Sequence, residues 1–253
     1  MNTFDGSTLA KLCGLACALT WLPIAAQTGI PADTWQFEIT PYFWATAARA
    51  DINTRFLGTR KLDVPFSKLA SSLDFGAMGT IEARKGPWGA LMDVQYVKLG
   101  TSKTSILAPL TNLNITYEQQ IWTLGAFYRV SEAPVVVDVL GGARYIYAKT
   151  DVGVTSIFAP VGLSDADSKG WLDAVVGVRA LYPLDDKWSL LGYADVGGGG
   201  SNLSWQVIAG ANYRYSQGTT IKFGYRYFSF DRNNVTVTKA SLGGPYVGVG
   251  FKF

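Results

Sequence analysis

The 253 residues are 48% hydrophobic but only 16% charged, whereas soluble domains average about 25% charged residues. A formal net charge of +3 is too small to indicate a nucleic-acid partner. The complete absence of histidine excludes every mechanism that needs an imidazole base, and nearly all zinc chemistry.

The first 26 residues have the pattern of a secretory signal peptide. A polar start leads into an apolar run from Leu12 to Leu22, and Ile24 and Ala26 suit the −3 and −1 positions of a cleavage site before Gln27. The run is shorter than the roughly 20 residues that a membrane anchor needs. We therefore predict a signal peptide at 1–26 and a single domain at 27–253.

Both cysteines, Cys13 and Cys17, lie inside the predicted signal peptide, and neither follows a convincing lipobox. The exported domain is therefore expected to contain no disulfide, no thiol nucleophile and no thiolate metal site.

The remaining chain alternates between apolar and polar residues with a period of two, which is typical of β-strands. In 135–149, Val137, Val139 and Tyr145 share one face, whereas Asp138 and Arg144 share the other. We predict ten such strands, at 35–50, 75–85, 88–99, 112–129, 135–149, 171–182, 188–197, 203–215, 219–230 and 244–253. In 112–129 the facing is ambiguous from Ile121 onward, because Trp122 and Leu124 share parity with Glu118.

The connections between these strands alternate in length. Tight turns follow the second, fourth, sixth and eighth strands, and longer loops at 51–74, 100–111, 150–170 and 231–243 lie between them, with 198–202 as a short exception. This alternation predicts an all-β, up-and-down antiparallel transmembrane barrel of about ten strands, with short periplasmic turns and longer outer loops. Eight or twelve strands are compatible with the pattern, since 51–74 has room for a hairpin.

Two further expectations concern Pro41 in the first predicted strand and residues 61–73 in the first predicted loop. Pro41 cannot donate to a strand ladder, so a bulge or a local break is expected there. Residues 61–73 form either a short amphipathic helix that caps the outer mouth or a plain ordered loop.

Strand length and aromatic placement decide whether the apolar face of the barrel points outward to lipid or inward to the lumen. Several strands exceed the 9–11 residues that cross a bilayer when tilted. Aromatic residues gather near strand ends, as an interfacial girdle requires, at Trp35, Trp88, Tyr147, Trp171, Tyr182, Trp188, Trp205 and Tyr215. The apolar face is therefore expected to meet lipid and the polar face to line the lumen.

The polar face supplies equal numbers of acidic and basic residues as candidate lumen charges. The acids are Glu38, Glu82, Asp93, Glu118, Asp138, Asp173 and Asp195, and the bases are Arg84, Arg144, Arg179, Arg214, Lys222, Arg226 and Lys252. A balanced set in a narrow barrel forms either a salt-bridged filling, because unpaired buried charge is unfavourable, or a narrow aqueous passage with charge selectivity. An enzyme in the barrel wall is the least favoured class, since the loop acids show no metal-binding spacing.

Several segments, in their order along the chain, resemble a widespread and largely uncharacterised group of porin-like proteobacterial outer-membrane β-barrel proteins. They are ITPYFWATA (39–47), EARKGPWGALMDVQYVKL (82–99), GARY (142–145), DKWSLLGYADVGG (186–198), SWQVIAGANYRYS (204–216), FGYRYFSFD (223–231) and GPYVGVGFKF (244–253). The resemblance implies a barrel in the outer membrane of a Gram-negative bacterium. It implies no reaction and no catalytic residues.

The sequence thus predicts a monomeric, non-enzymatic outer-membrane barrel that contacts outer-membrane lipid, with no cofactor, no metal and no nucleic-acid partner. Its expected role is structural, or the passive passage of small solutes through a polar, charge-balanced lumen. The alternative is a surface ligand-binding or adhesion protein that acts through the outer loops 51–74 and 150–170.

Overall fold

The computed structural model describes residues 34–54, 58–104, 111–156, 159–232 and 237–253, which belong to one unit spanning Ala32–Phe253. The predicted signal peptide lies outside these ranges. No helix in the described residues is both long enough and apolar enough to cross a membrane.

The described residues form twelve strands and one short helix. Their bounds are β1 Gln36–Trp44, β2 Ala47–Thr54, β3 Gly58–Val64, α1 Phe66–Ser71, β4 Leu73–Lys85, β5 Trp88–Thr104, β6 Thr111–Ser131, β7 Val136–Ser156, β8 Ala159–Pro183, β9 Trp188–Gly199, β10 Leu203–Arg214, β11 Thr219–Asp231 and β12 Val237–Lys252. Ten of these strands lie where the alternation predicts them, and α1 lies within 61–73.

The barrel closes through β1, which pairs antiparallel with β4 on one side and with β12 on the other. Strands β4 to β12 pair in chain order, so β1 and β4–β12 make a closed ring of ten antiparallel strands. This confirms the predicted architecture. The loop 51–74 does contain part of a hairpin, β2–β3, which pairs with the outer half of β12 and is additional to the ten-stranded ring.

The predicted strand 35–50 is divided into β1 and β2 at Ala45–Thr46, and the pairing of β1 is also interrupted at Pro41. The pairs of β1 with β4 end at Pro41↔Gly79. On the β12 side, Ile39↔Phe251 and Tyr42↔Gly248 share one register, so pairing is interrupted at Pro41 without a bulge. The interruption is expected from a residue that has no N–H to donate.

Four neighbouring strands are much longer than the membrane requires. Strands β5, β6, β7 and β8 contain 17, 21, 21 and 25 residues. The described parts of the predicted loops 100–111 and 150–170, which are 100–104, 111, 150–156 and 159–170, are therefore strand, and this corrects the sequence interpretation. The segments 100–104 and 159–170 contain mostly polar residues and glycine, so no clear apolar alternation marked them as strands.

The exterior of the ring carries an apolar belt. Leu124, Leu172 and Val176 are each about 60% exposed on this surface. Aromatic pairs mark both edges of the belt, with Trp88–Tyr128 ring centroids 4.7 Å apart near the short turns and Trp205–Tyr227 centroids 4.9 Å apart toward the other rim.

The height of this belt matches a bilayer. From Trp88 to Tyr96 on β5, steps of about 3.4 Å at a tilt of about 40° give roughly 21 Å, close to the ~25 Å band of outer-membrane barrels. The rim with the short turns is the periplasmic rim in barrels of this type, and the opposite rim is the outer rim.

Candidate functional site in the barrel lumen

Inward-facing side chains from all ten barrel strands meet in the lumen, because residues of one parity on each strand point inside. A ten-stranded barrel is narrow enough for side chains to fill much of it. Of the predicted lumen charges, the following lie on the inner face: Glu38, Glu82, Arg84, Asp93, Asp138, Arg144, Asp173, Arg179, Asp195, Lys222, Arg226 and Lys252. Arg214 has inner parity but lies exposed at the periplasmic end of β10.

The layer nearest the periplasmic rim is built around Asp138, which is completely buried. Arg179 bridges two acids, with Nη1 2.5 Å from Glu82 Oε2 and Nη2 2.7 Å from Asp138 Oδ2. Arg129 completes the cluster, since its Nε donates to Asp138 Oδ1 at 2.8 Å. The sequence interpretation missed Arg129 because the facing of its strand was ambiguous.

A second ion pair lies at the same end of the lumen, on β1, β11 and β12. Glu38 accepts a hydrogen bond from Lys222 and lies 3.7 Å from Lys252 Nζ. Thr40 Oγ1 donates to the same carboxylate at 3.1 Å. Glu38 therefore links β1 to β11 and β12, next to the β1–β12 pairing that closes the barrel.

A central polar layer contains two buried ion pairs. Arg144 Nη2 lies 2.6 Å from Asp195 Oδ2, and Arg226 Nη2 lies 2.6 Å from Asp93 Oδ2. Gln206 joins them, since its amide donates to Asp195 at 3.3 Å and its carbonyl oxygen accepts from Arg226 at 2.6 Å. These contacts make one hydrogen-bonded network across the lumen.

Two tyrosines extend this central network. Tyr42 OH donates to Asp93 Oδ1 at 2.8 Å and accepts from Arg226 Nη1 at 2.7 Å. Tyr193 OH donates to Asp195 Oδ2 at 2.7 Å. Neither tyrosine was among the predicted lumen residues, because that set contained charged residues only. Their inner parity was the signal that could have identified them.

Two apolar layers separate and cap the polar ones, which the sequence interpretation did not anticipate. Leu91, Phe127 and Leu140 form the layer above Arg179, whose guanidinium lies 4.7 Å from the Phe127 ring centroid. The layer near the outer rim consists of Trp44, Ile121, Ile146, Trp171, Phe228 and Phe230.

The layering can be followed along a single strand. From the periplasmic rim outward, the inner face of β7 presents Asp138, Leu140, Arg144 and Ile146, all of them buried. Charged and apolar residues thus alternate at steps of two to four positions. The inner wall of the described barrel is therefore layered rather than lined uniformly by charge.

Asp173 differs from the other inner acids, since its hydrogen bond is to backbone. It is completely buried, and its Oδ1 accepts the Ser201 N–H at 2.6 Å. Ser201 Oγ in turn accepts from Trp171 Nε1 at 2.8 Å. Asp173 therefore holds the short β9–β10 turn against the barrel wall.

Glu118 lies on the outer surface, which corrects its assignment to the lumen. It shares a face with Gln120 and Trp122, and Gln120 Nε2 donates to Glu118 Oε1 at 2.8 Å. The β6 ladder is uninterrupted from Glu118 to Tyr128, so parity is preserved along it and the exposed Trp122 fixes the facing of the whole segment.

The described residues contain no group of three or more His, Cys, Asp or Glu side chains placed to hold a metal ion. The inner acids instead face arginine, lysine or backbone N–H groups. These contacts are ion pairs and hydrogen bonds.

Comparison with known proteins gives similarity to solved barrels only. No family model matches the chain, and no curated protein matches it. It is similar to the outer membrane protease OmpT of Escherichia coli, with 10% identity, coverage of 90% of this chain and 99% of that one, and a TM-score of 0.49. It is also similar to Ail, the attachment invasion locus protein of Yersinia pestis, with 12% identity, coverage of 87% and 99%, and a TM-score of 0.36.

A third similar structure is Neisserial surface protein A, with 16% identity, coverage of 87% of this chain and 97% of that one, and a TM-score of 0.33. Because these identities and TM-scores are low, the similarities decide nothing about activity. The closed ladder and the apolar belt by themselves make the protein a β-barrel of the outer-membrane type.

Proposed function

We propose that the protein is a non-enzymatic, structural outer-membrane barrel whose lumen is closed by its own side chains. The observation that carries the proposal is the stack of buried ion pairs and apolar layers described above. An open passage needs a continuous aqueous path, whereas Phe127 and Phe228 are each at most 2% exposed and lie in two successive apolar layers.

The energetics of the ion pairs support a closed resting state. Arg144 and Asp195 are both completely buried, and breaking such a pair leaves an uncompensated charge, which costs about 3–5 kcal/mol. A passive channel through this lumen would need several such pairs to separate at once. Spontaneous opening is correspondingly rare.

Single-channel recording in planar bilayers tests the closed state. We expect no regular conductance steps from the wild-type barrel, and none from a matched variant, Arg49→Ala, which changes an exposed surface arginine. If the wild type shows reproducible conductance steps, and Arg179→Ala or Arg226→Ala changes their size, the protein is a narrow channel and not a closed structural barrel. An unheated electrophoretic mobility typical of folded barrels is the control that each sample is folded.

A second candidate function, surface binding, is supported by the extension of β5–β8 beyond the membrane belt. Strand β8 alone contains 25 residues where about 10 span the bilayer. Shortening the β7–β8 hairpin within 150–170, or deleting the β2–β3 hairpin, leaves the pairing of the ten-stranded ring in place. If cells that express either variant adhere to protein-coated and polysaccharide-coated surfaces as strongly as wild-type cells do, the outer extension is not an adhesive surface.

A further inference from the structure

The arginine cluster near the periplasmic rim has one more positive charge than negative charges. Arg84, Arg129 and Arg179 face the lumen there together with Glu82 and Asp138. Both carboxylates already have cationic partners, since Arg179 bridges them and Arg129 donates to Asp138 from Nε at 2.8 Å and from Nη2 at 3.3 Å. Arg84 is the cation that remains.

Arg84 has no counter-ion among the described residues. Its Nε is buried without a hydrogen-bond partner, and its guanidinium forms no ion pair within that part of the chain. Of the charges that act on Arg84, Arg129 has the largest effect, ahead of Glu82 and Asp138. Two guanidinium groups repel each other most where water is partly excluded, and an anion bound by both removes this repulsion.

The local structure of β5 leaves space between these two arginines. Arg84 pairs with Gly89 of β5, and Gly89 pairs with Phe127 of β6, two positions before Arg129. A Cβ atom at Gly89 would lie 2.1 Å from Phe127 Cζ, so the ring of Phe127 lies over the glycine. The inward position of β5 between Arg84 and Arg129 therefore carries no side chain that could separate them.

Solvent reaches this part of the lumen from the periplasmic side. The side chains of Glu82 and Arg179 are 24% and 15% accessible although both point into the barrel, whereas Asp138 is 1% accessible. The apolar layer that contains Phe127 lies farther from the periplasmic rim. A periplasmic solute can therefore reach the arginine cluster without passing an apolar layer.

The other described charges at this end of the barrel cancel one another. The bases are Lys85, Lys187, Arg214, Lys222 and Lys252, and the acids are Glu38, Glu132, Asp185, Asp186 and the carboxylate of Phe253. Glu38 is held by the two lysines of β11 and β12, and Asp185 accepts from two N–H groups of its own turn. The excess positive charge of the described rim therefore equals that of the arginine cluster.

We propose that Arg84 and Arg129 form a binding site for the oxyanion group of a small periplasmic solute, either a carboxylate or a phosphate. Guanidinium groups bind both through paired N–H donors. Arg84 contributes donors that no described residue uses, and Arg129 contributes Nη1, which makes no hydrogen bond to Asp138. Gln36 pairs with Arg84 and shares its inward parity, so its amide is a further donor at the site. The site lies below both apolar layers, and the proposal is independent of whether the lumen conducts.

Equilibrium dialysis with radiolabelled inorganic phosphate tests the site. The full chain is expressed in a Gram-negative host, the folded barrel is extracted from the outer membrane in a nonionic detergent, and chloride keeps the ionic strength constant. We expect saturable binding to the wild type and binding weakened at least about tenfold by Arg84→Gln, the effect of losing charge-assisted hydrogen bonds. Arg84→Lys keeps the charge but not the paired donors, and it should fall between the two.

The matched control is Arg214→Gln, which removes an exposed arginine at the same rim and should change phosphate affinity by less than about twofold, because exposed charge is screened. Arg84→Gln breaks no hydrogen bond within the described residues, so its urea midpoint without phosphate should not fall below that of the wild type. Equal phosphate affinity of the wild type and Arg84→Gln, or an equal loss in Arg214→Gln, would overturn the site.

Two further measurements identify the occupant. Competition between phosphate and acetate shows which oxyanion the site prefers, and displacement by chloride at equal concentration would overturn recognition of an oxyanion. Asp33→Asn and Glu132→Gln remove the acids next in sequence to Gln36 and Arg129. We expect each to leave phosphate affinity within about twofold of the wild type. A tenfold rise in either variant would show that a carboxylate of the chain itself fills the site, and would overturn the proposal.

Discussion

Replacing Arg226 with methionine should destabilise the barrel strongly, because this guanidinium is 4% exposed and holds the centre of the lumen. It donates to Asp93, Tyr42 and Gln206 at 2.6–2.9 Å. Methionine keeps part of the apolar contact with the Trp44 ring, whose centroid lies 5.1 Å from the guanidinium carbon, but supplies no donor.

The size of the destabilisation depends on the hydrogen bonds that Asp93 keeps after the substitution. Losing one partner of a buried ion pair costs about 3–5 kcal/mol in free energy of unfolding. Asp93 still accepts hydrogen bonds from Tyr42, Thr80 and Gln95 at 2.8–3.0 Å after the substitution. We therefore expect a loss near the lower value, about 3 kcal/mol.

Urea unfolding in phospholipid vesicles, followed by tryptophan fluorescence, measures this loss. Combining Arg226→Met with Asp93→Asn should restore about 2 kcal/mol, because the unpaired charge is removed as well. The matched control is Arg49→Met, since Arg49 and Asp63 form an exposed pair with side chains 74% and 66% accessible. That change should cost at most about 1 kcal/mol. If Arg226→Met costs no more than Arg49→Met, the central network does not stabilise the barrel.

Three further predictions test other parts of the structure. Val176→Arg, on the exterior belt, should cost about 2–4 kcal/mol in vesicle unfolding, and a neutral effect would contradict the lipid-facing assignment. Glu82→Gln, beside Arg179, should cost about 1–3 kcal/mol, whereas Glu118→Gln on the outer surface should stay within about 0.5 kcal/mol; equal losses would place both side chains in one environment. The Lys187 and Trp188 N–H groups lower the pKa of Asp185 below its ordinary 3.8, so its contribution is present above that value and is lost as pH falls through the lowered pKa. Asp185→Ala should therefore destabilise the barrel near neutral pH and differ less from wild type in acid, and a difference that grows in acid would refute the assignment.

The sequence by itself determined the strand type, the facing of most strands and the membrane setting. In β7, the alternation of Asp138 and Arg144 with Val139 and Tyr145 assigned both faces correctly. This was possible because one face meets lipid and the other a polar interior, and each environment admits a different class of side chain.

The alternation failed where the strand extensions contain few apolar residues. The outer parts of β5, β7 and β8 were therefore predicted as loops. Strand β6 was predicted from residue 112, and only its facing remained ambiguous until the exposed Trp122 fixed its parity relative to Glu118. Local pattern cannot separate an extended strand in water from an irregular loop, since neither buries an apolar face.

Only the tertiary structure decided which inward residues meet. Arg226 and Asp93 are 133 positions apart along the chain, and Arg179 and Glu82 are 97 apart. The two-residue alternation fixes whether a side chain points into or out of the barrel. Its height in the lumen depends on the register of every strand pair that lies between it and its partner. Closure of the ring sets all those registers together. For that reason the layered arrangement of the inward side chains emerged from the folded barrel, and not from the sequence.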